Sequence, residues 1–193
     1  ASACQVMLAS GAQVRFEETI AGQRAEREQG TPLPRAVFDS IDSTKLALKG
    51  PTQTPFGGNY RVLIERAGET GKVGKRSYPG IAIALRKELG LFVNVRPVKN
   101  YPGVASRFEH VDLLIFRENS EDLYSGIERM VDEGTAEAIK IISVRGTERV
   151  TRFALDTMRR LGRKRITIVH KANVMKMTDG LFLGTAQNVA KDS

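Results

Sequence analysis

Residues 111–116 form a buried-type apolar run, and directly behind it come Arg117, a group of acids and Tyr124. That order constrains the fold more than any other feature of the chain. A strand that delivers polar side chains to its carboxyl end is how α/β proteins present chemistry from a rigid support. Arg117 supplies a planar fork suited to a carboxylate, and Tyr124 supplies a proton on oxygen. The pairing points to an enzyme that acts on a small anionic substrate.

Helix- and strand-type patterns alternate around this segment. Val6, Met7 and Leu8 before Gly11 predict the end of a helix with a glycine cap. Val14, Phe16, Glu18 and Ile20 alternate as a strand does, and 46–48 predict a short strand before Lys49, Gly50 and Pro51. Leu33, Val37 and Ile41 share a helical face started by Pro32 and Pro34. Ile81, Ala84, Leu85, Glu88 and Leu89 predict a helix closed by Gly90, and 91–95 a strand stopped by Pro97. The runs 126–131 and 136–143 flank Asp132-Glu133-Gly134, a hairpin turn. Val150, Phe153, Ala154, Met158 and Leu161 predict an amphipathic helix with Gly162 beyond it. Residues 166–169 predict a buried-type strand ending at His170, and a last helix starts near Thr178 with Leu181, Phe182, Ala186 and Val189 inward. This alternation predicts a parallel α/β sheet.

Residues 57–80 interrupt the pattern with Gly57, Gly58, Gly68, Gly71, Gly74 and Gly80 among basic residues. The expectation there is a flexible basic loop. The spacing from Gly68 to Gly74 is too long for a phosphate-binding P-loop, and Arg76 stands where Ser or Thr is required.

Apolar residues make up 41% of the 193, which fits a globular protein rather than a disordered one. No apolar run approaches the roughly 18 residues of a membrane helix. No basic leader precedes an apolar block, and the lone Cys4 rules out an internal disulfide and suits a reducing compartment. The expected location is the cytoplasm, or the mitochondrial matrix in a eukaryote. The net charge of +8 comes from basic residues mixed with acids and without aromatic interleaving. That pattern fits a solvated face better than a nucleic-acid groove, so neither nucleic acid nor a membrane is expected as a partner.

Arg86, Arg96 and Arg117 each fall on a short helix or at a strand's end. They could converge on a ligand with several carboxylates, or solvate the surface with their stems packed on apolar neighbours; spacing leaves both readings open. Tyr124 could donate a proton or simply pack. Lys171 follows an apolar stretch where desolvation would suit it to base chemistry, and Asn173 offers donor and acceptor together. His110, His170 and Cys4 have no recognised metal spacing, and no Ser-His-Asp arrangement or G-x-S-x-G elbow is present.

Several strings in order carry a family resemblance across most of the chain: Lys49-Gly-Pro-Thr-Gln-Thr-Pro55, Leu85-Arg-Lys-Glu-Leu89, Asn94-Val-Arg-Pro97, Phe116-Arg-Glu-Asn-Ser-Glu-Asp-Leu-Tyr-Ser-Gly-Ile-Glu128 and His170-Lys-Ala-Asn-Val-Met-Lys-Met-Thr-Asp-Gly180. Together they resemble the β-decarboxylating dehydrogenases, the family of isocitrate and isopropylmalate dehydrogenases, and look most like an NAD(P)-dependent isocitrate dehydrogenase. The resemblance implies an α/β fold with part of a large domain over 1–91. A small domain over 92–193 would follow, with a clasp hairpin at about 124–145 for dimerisation. It implies that Arg86, Arg96 and Arg117 hold the carboxylates of isocitrate. Tyr124 would protonate the enolate, and Lys171, reaching into the partner's site of a homodimer, would assist removal of the hydroxyl proton. Thr54 and Asn173 would lie near NAD or NADP.

The chain departs from the family pattern ahead of Arg86. Isocitrate-specific members place Ser and Asn where Gly80 and Ala82 stand, which leaves Ser77 as the candidate substitute for substrate binding. The family's glycine-rich first strand would precede Ala1. Its Mg²⁺- or Mn²⁺-binding aspartates and adenosine segment would follow Ser193. The expectation is therefore a portion of a larger enzyme, inactive by itself, with no metal ligands of its own. Isopropylmalate or homoisocitrate dehydrogenase, or a non-catalytic regulatory subunit, are the alternatives.

Overall fold

A computed structural model describes residues 2–52, 60–67 and 73–192. The chain forms two compact units, Ala1–Ala84 and Leu85–Ser193. In the first, helices α1 (Ser2–Ala9), α2 (Gln23–Gln29) and α3 (Arg35–Thr44) precede the antiparallel pair β1 (Val62–Ala67) and β2 (Val73–Tyr78). Helix α4 (Ile81–Glu88) carries the chain across the division. The core of this unit gathers Ala25, Leu33, Val37, Phe38, Val62, Ile64, Tyr78, Ile81 and Ala84. Arg66 lies over the Phe38 ring at 4.8 Å and pairs with Asp42, so its stem shields this core while its charge is neutralised.

The second unit is built on the antiparallel ribbon β3 (Val93–Lys99) and β4 (Asp112–Glu118), the hairpin β5 (Glu128–Met130) and β6 (Ala136–Ala138), and helices α5 (Val144–Arg160) and α6 (Thr178–Lys191). Helix α5 starts where Ser143 accepts a bond from the Gly146 amide at 3.0 Å, and Arg159 and Arg160 stand at its negative end. Gly162, at φ +65°, lets Arg163 N–H close on the Met158 carbonyl at 2.9 Å. The buried face of α5, with Val150, Ala154 and Leu155, packs on Ala186 and Val189 of α6 in the core of the unit. Phe153 meets Phe92 and Phe116 edge to face at 5.8 and 6.1 Å, which fastens one face of the ribbon to the helix.

Several expectations need correcting. All three described sheets are antiparallel pairs, not parts of a parallel sheet. Residues 12–21, 46–50 and 163–170 are irregular instead of stranded, with Leu46 at 82% and Val169 at 87% exposure. A strand exists only where a neighbour takes up its backbone N–H and C=O groups, and no described strand runs beside these segments. The basic stretch after residue 57 is not a loop throughout, because β1 and β2 pair across it from Val62↔Tyr78 to Ala67↔Val73. The part at 53–59, with Thr54, and the part at 68–72 lie outside the described residues. Pro97 does not stop its strand; it sits inside β3 opposite Leu114, where an edge strand tolerates the missing N–H. The run at 111–116 is half-buried only, since Leu113 and Ile115 face outward.

Candidate active site

The pairing of β3 with β4 decides which side chains share a face. Asn94 stands opposite Arg117 and Arg96 opposite Ile115. Side chains alternate along a strand, so Asn94, Arg96 and Arg117 lie on one face while Leu114, Phe116 and Glu118 lie on the other, toward α5. Arg96 Nε donates to Asn94 Oδ1 at 3.0 Å, a bond that orients its guanidinium along this face. Arg117 Nη2 reaches Asn119 Oδ1 at 3.4 Å, and the buried Asn119 in turn donates to the Leu91 carbonyl.

Beyond β4 the chain turns back. The Glu118 carboxylate accepts from the backbone N–H groups of Ser120 and Glu121 at 2.8 and 2.6 Å and from the Ser120 hydroxyl. Arg149, stacked over Phe92 at 4.4 Å, bonds both Glu118 and Ser120. This fixed corner leads to the 3-10 turn Leu123–Ser125, capped by the Asp122 carboxylate on Leu123 N–H at 2.8 Å. The turn presents Tyr124. Arg117 Nη1 donates to Tyr124 Oη at 2.9 Å, and the Arg117 and Arg86 guanidinium carbons lie 4.7 and 5.8 Å from the ring centroid. Lys87 holds the end of α4 to the same turn by donating to the Ser125 carbonyl at 2.8 Å.

Of the residues singled out in the sequence, Arg86, Arg117 and Tyr124 therefore meet, and Arg96 shares a ribbon face with Arg117. No carboxylate among the described residues pairs with Arg86, Arg96 or Arg117, and Arg117 Nε is buried without a partner there. Elsewhere Arg24, Arg35, Arg66, Arg129, Arg149 and Arg163 all have carboxylate partners. Two unneutralised guanidinium groups beside a phenol, with a third on the same ribbon face as Arg117, have the chemistry to pair with carboxylates of an anionic ligand.

Lys171 and Asn173 are not part of this cluster. Both are exposed, so the chain itself does not give Lys171 the desolvated setting the sequence suggested. The Lys171 backbone N–H donates to Asp179 at 2.6 Å, and Asp179 also accepts from Lys140 at 2.5 Å. Lys140 holds the buried Asp179 carboxyl below the usual carboxylate range, aided by the Lys171 N–H and opposed by desolvation. Ser77 lies in the first unit, exposed on β2 opposite Leu63. Sequence reasoning missed Asn94, Asn119, Lys140 and Asp179. Alternation with Arg96 could have flagged Asn94; the others are joined by pairings that no local spacing reveals.

The family model described as isocitrate/isopropylmalate dehydrogenase matches residues 2–193. The chain belongs to the isocitrate/isopropylmalate dehydrogenase family. It is 37% identical over 159 residues to a probable NAD isocitrate dehydrogenase subunit alpha, mitochondrial, of Drosophila melanogaster, covering 82% of this chain and 37% of that one. It is 40% identical over 159 residues to NAD isocitrate dehydrogenase regulatory subunit 2, mitochondrial, of Arabidopsis thaliana, covering 82% and 38%. The crystal structure of isocitrate dehydrogenase from Methylococcus capsulatus superposes with a TM-score of 0.83 at 38% identity, over 99% of this chain and 52% of the other. The chain thus spans about half or less of the family members it matches. The family is one of dehydrogenases, and the chain has its mixed α/β fold. No helix among the described residues is long and apolar enough to cross a membrane.

Proposed function

We propose that this chain supplies the substrate face and the proton donor of an isocitrate dehydrogenase, which oxidises and decarboxylates isocitrate to 2-oxoglutarate with NAD or NADP. The observation that carries this reading is the convergence of Arg86 and Arg117 on Tyr124, with Arg96 on the same ribbon face, none neutralised by a described carboxylate. Arg86, Arg96 and Arg117 bind the substrate carboxylates. Because Tyr124 Oη already accepts from Arg117, its own proton is free to be donated to a substrate carbon once carbon dioxide has left. Lys171, exposed on its turn, assists loss of the hydroxyl proton in the partner's site, and the hairpin β5–β6 is the clasp of a homodimer. Outward-facing Ile127, Met130, Val131 and Ile139 suit such a clasp. The division into a large-domain part at 1–91 and a small domain at 92–193 belongs to the same reading, as do Ser77 at the substrate and Thr54 and Asn173 at the cofactor.

Among the described residues no group of three His, Cys, Asp or Glu could hold a metal ion. These residues alone do not fit the Mg²⁺ or Mn²⁺ of the proposed reaction, whose ligands this reading assigns to segments outside the chain. A mitochondrial or cytoplasmic location is equally compatible with the chemistry, and the mitochondrial relatives favour the former.

The test is calorimetric titration of the purified chain with isocitrate and with isopropylmalate, alongside an assay for NAD(P)H. Isocitrate should bind, an Arg117→Gln variant should weaken it at least 10-fold because a charge-assisted pair is lost, and turnover should be absent. Preference for isopropylmalate would reassign the substrate, and rapid turnover by this chain alone would show that no outside metal ligands are needed. A second reading, a regulatory subunit, is favoured by the 40% identity to such a subunit. Tyr124 and Lys171 argue against it, since a binding role alone needs neither a proton donor nor a base.

A further inference from the structure

Lys140 lies between β6 and α5, in a segment stitched to the Tyr124 turn. Ile139 N–H donates to the Ile127 carbonyl at 2.9 Å, Asp122 N–H donates to the Ile141 carbonyl at 2.8 Å, and the Ser125 hydroxyl reaches the Ile139 carbonyl. These bonds aim the Lys140 side chain between two carboxylates. Its Nζ stands 2.5 Å from Asp179 Oδ1 and 3.8 Å from Asp122 Oδ1, with 21% of the side chain exposed. Each carboxylate has a second task. Asp122 Oδ1 caps the turn that presents Tyr124 by accepting Leu123 N–H, and Asp179 Oδ2 accepts the N–H of Lys171 itself.

The strain at this junction also calls for an anchor. Asp122 has φ +61° and ψ −148°, a region that side-chain-bearing residues adopt only when their surroundings hold them there. The Ile141 carbonyl, the Leu123 and Ser125 N–H groups and the Lys140 ammonium all hold it. Asp179 is 5% exposed, so its carboxylate depends on Lys140 for a countercharge.

We propose that Lys140 is a positioning residue that sets the Tyr124 turn and the Lys171 turn together, through Asp122 on one side and Asp179 on the other. The proposal rests on the functional reading above for the roles of Tyr124 and Lys171. In a homodimer with shared sites, Tyr124 serves its own site and Lys171 the partner's. One ammonium group therefore keeps two active sites in geometry, and its loss on one subunit damages both.

The first test needs no catalysis. Amide hydrogen exchange at Leu123 and Lys171 is compared in the wild-type chain, Lys140→Met and Lys140→Arg. Exchange should speed up at both amides in K140M and stay near wild type in K140R, while amides in the middle of α5 are unchanged. Unchanged exchange at either amide in K140M overturns the proposal; faster exchange throughout α5 does so too, since it means general loosening.

The second test uses the active dehydrogenase that contains these residues. K140M should lower kcat by about 100-fold, the order expected when catalytic groups shift by roughly an ångström, with KM for isocitrate within about twofold because the arginines are untouched. K140R should restore most of kcat. A dimer of one wild-type and one K140M subunit should run well below half the wild-type rate. Half activity in that hybrid, or an effect confined to KM, overturns the shared role. Absence of isocitrate turnover in the wild type would overturn the functional reading instead, and the exchange result alone would then uphold or overturn the tie.

Discussion

Tyr124 and Arg117 stand seven positions apart in sequence, yet the phenol oxygen accepts directly from the guanidinium. In the active enzyme a Tyr124→Phe change should lower kcat by about 10²- to 10⁴-fold, the usual contribution of a positioned proton donor, while KM changes little. Arg117→Gln should behave differently, raising KM as well, because it removes the proposed carboxylate contact and the bond that orients the phenol. Steady-state kinetics separate the two, and a Phe variant with only a raised KM would assign Tyr124 to binding. Both residues stood out in the sequence because an arginine and a phenol behind an apolar strand are unusual. Their supports were not. Asn94 and Asn119 reach Arg96 and Arg117 through strand pairing and a buried turn, and register is a property of two segments at once.

Helix α5 shows how an element can depend on a residue outside it. The Glu121 carboxylate lies at the positive end of the helix, where it accepts from Ser143 N–H at 2.9 Å and from the Ser143 hydroxyl. A Cβ on Gly146 would come within 2.5–2.7 Å of that carboxylate. Replacing a helical glycine by alanine ordinarily gains about 1 kcal/mol. Here Gly146→Ala should destabilise, because the carboxylate must leave Ser143 and charge-assisted bonds worth about 1.5–3 kcal/mol are disturbed. In a Glu121→Ala background the obstacle is gone and Gly146→Ala should stabilise. Denaturant unfolding of the four proteins measures the coupling, and additive effects would show that Glu121 does not occupy this space. Helix α5 was readable because an amphipathic period and a closing glycine are local: Gly162 and the buried Val150 and Ala154 lie within a few turns, whereas its cap Ser143 was read as part of a strand run and α2 was not anticipated. The strands expected near 14–20, 46–48 and 166–169 were not, since an alternating apolar segment becomes a strand only when another segment pairs with it.

For the molecule as a whole, the net charge of +8 makes each buried carboxylate valuable as a countercharge, and among the described residues Asp179 is the one set deepest. Asp112 and Asp132 are also held below the usual range, by the Arg163 side chain and the Gly134 N–H respectively, but both face solvent, which screens their effect on stability. Asp179 differs because its two oxygens bind Lys140 and the Lys171 N–H away from water. Its folded-state value lies below the unfolded one, so the unfolded chain takes up the proton first as pH falls. Its contribution is therefore complete above the unfolded value of about 3.9 and disappears as pH drops through the lower folded value. An Asp179→Asn variant should be less stable than wild type at neutral pH by about 1–3 kcal/mol, the loss of a charged hydrogen bond at a buried site. The gap should narrow as the solution is acidified below the carboxylate range, because protonation then removes the same charge from the wild type. Unfolding curves for both proteins across that range, read on α6 resonances by NMR, measure it. A gap that persists unchanged in acid would mean that the Asn side chain disturbs packing, and that the charge on Asp179 does not stabilise the second unit.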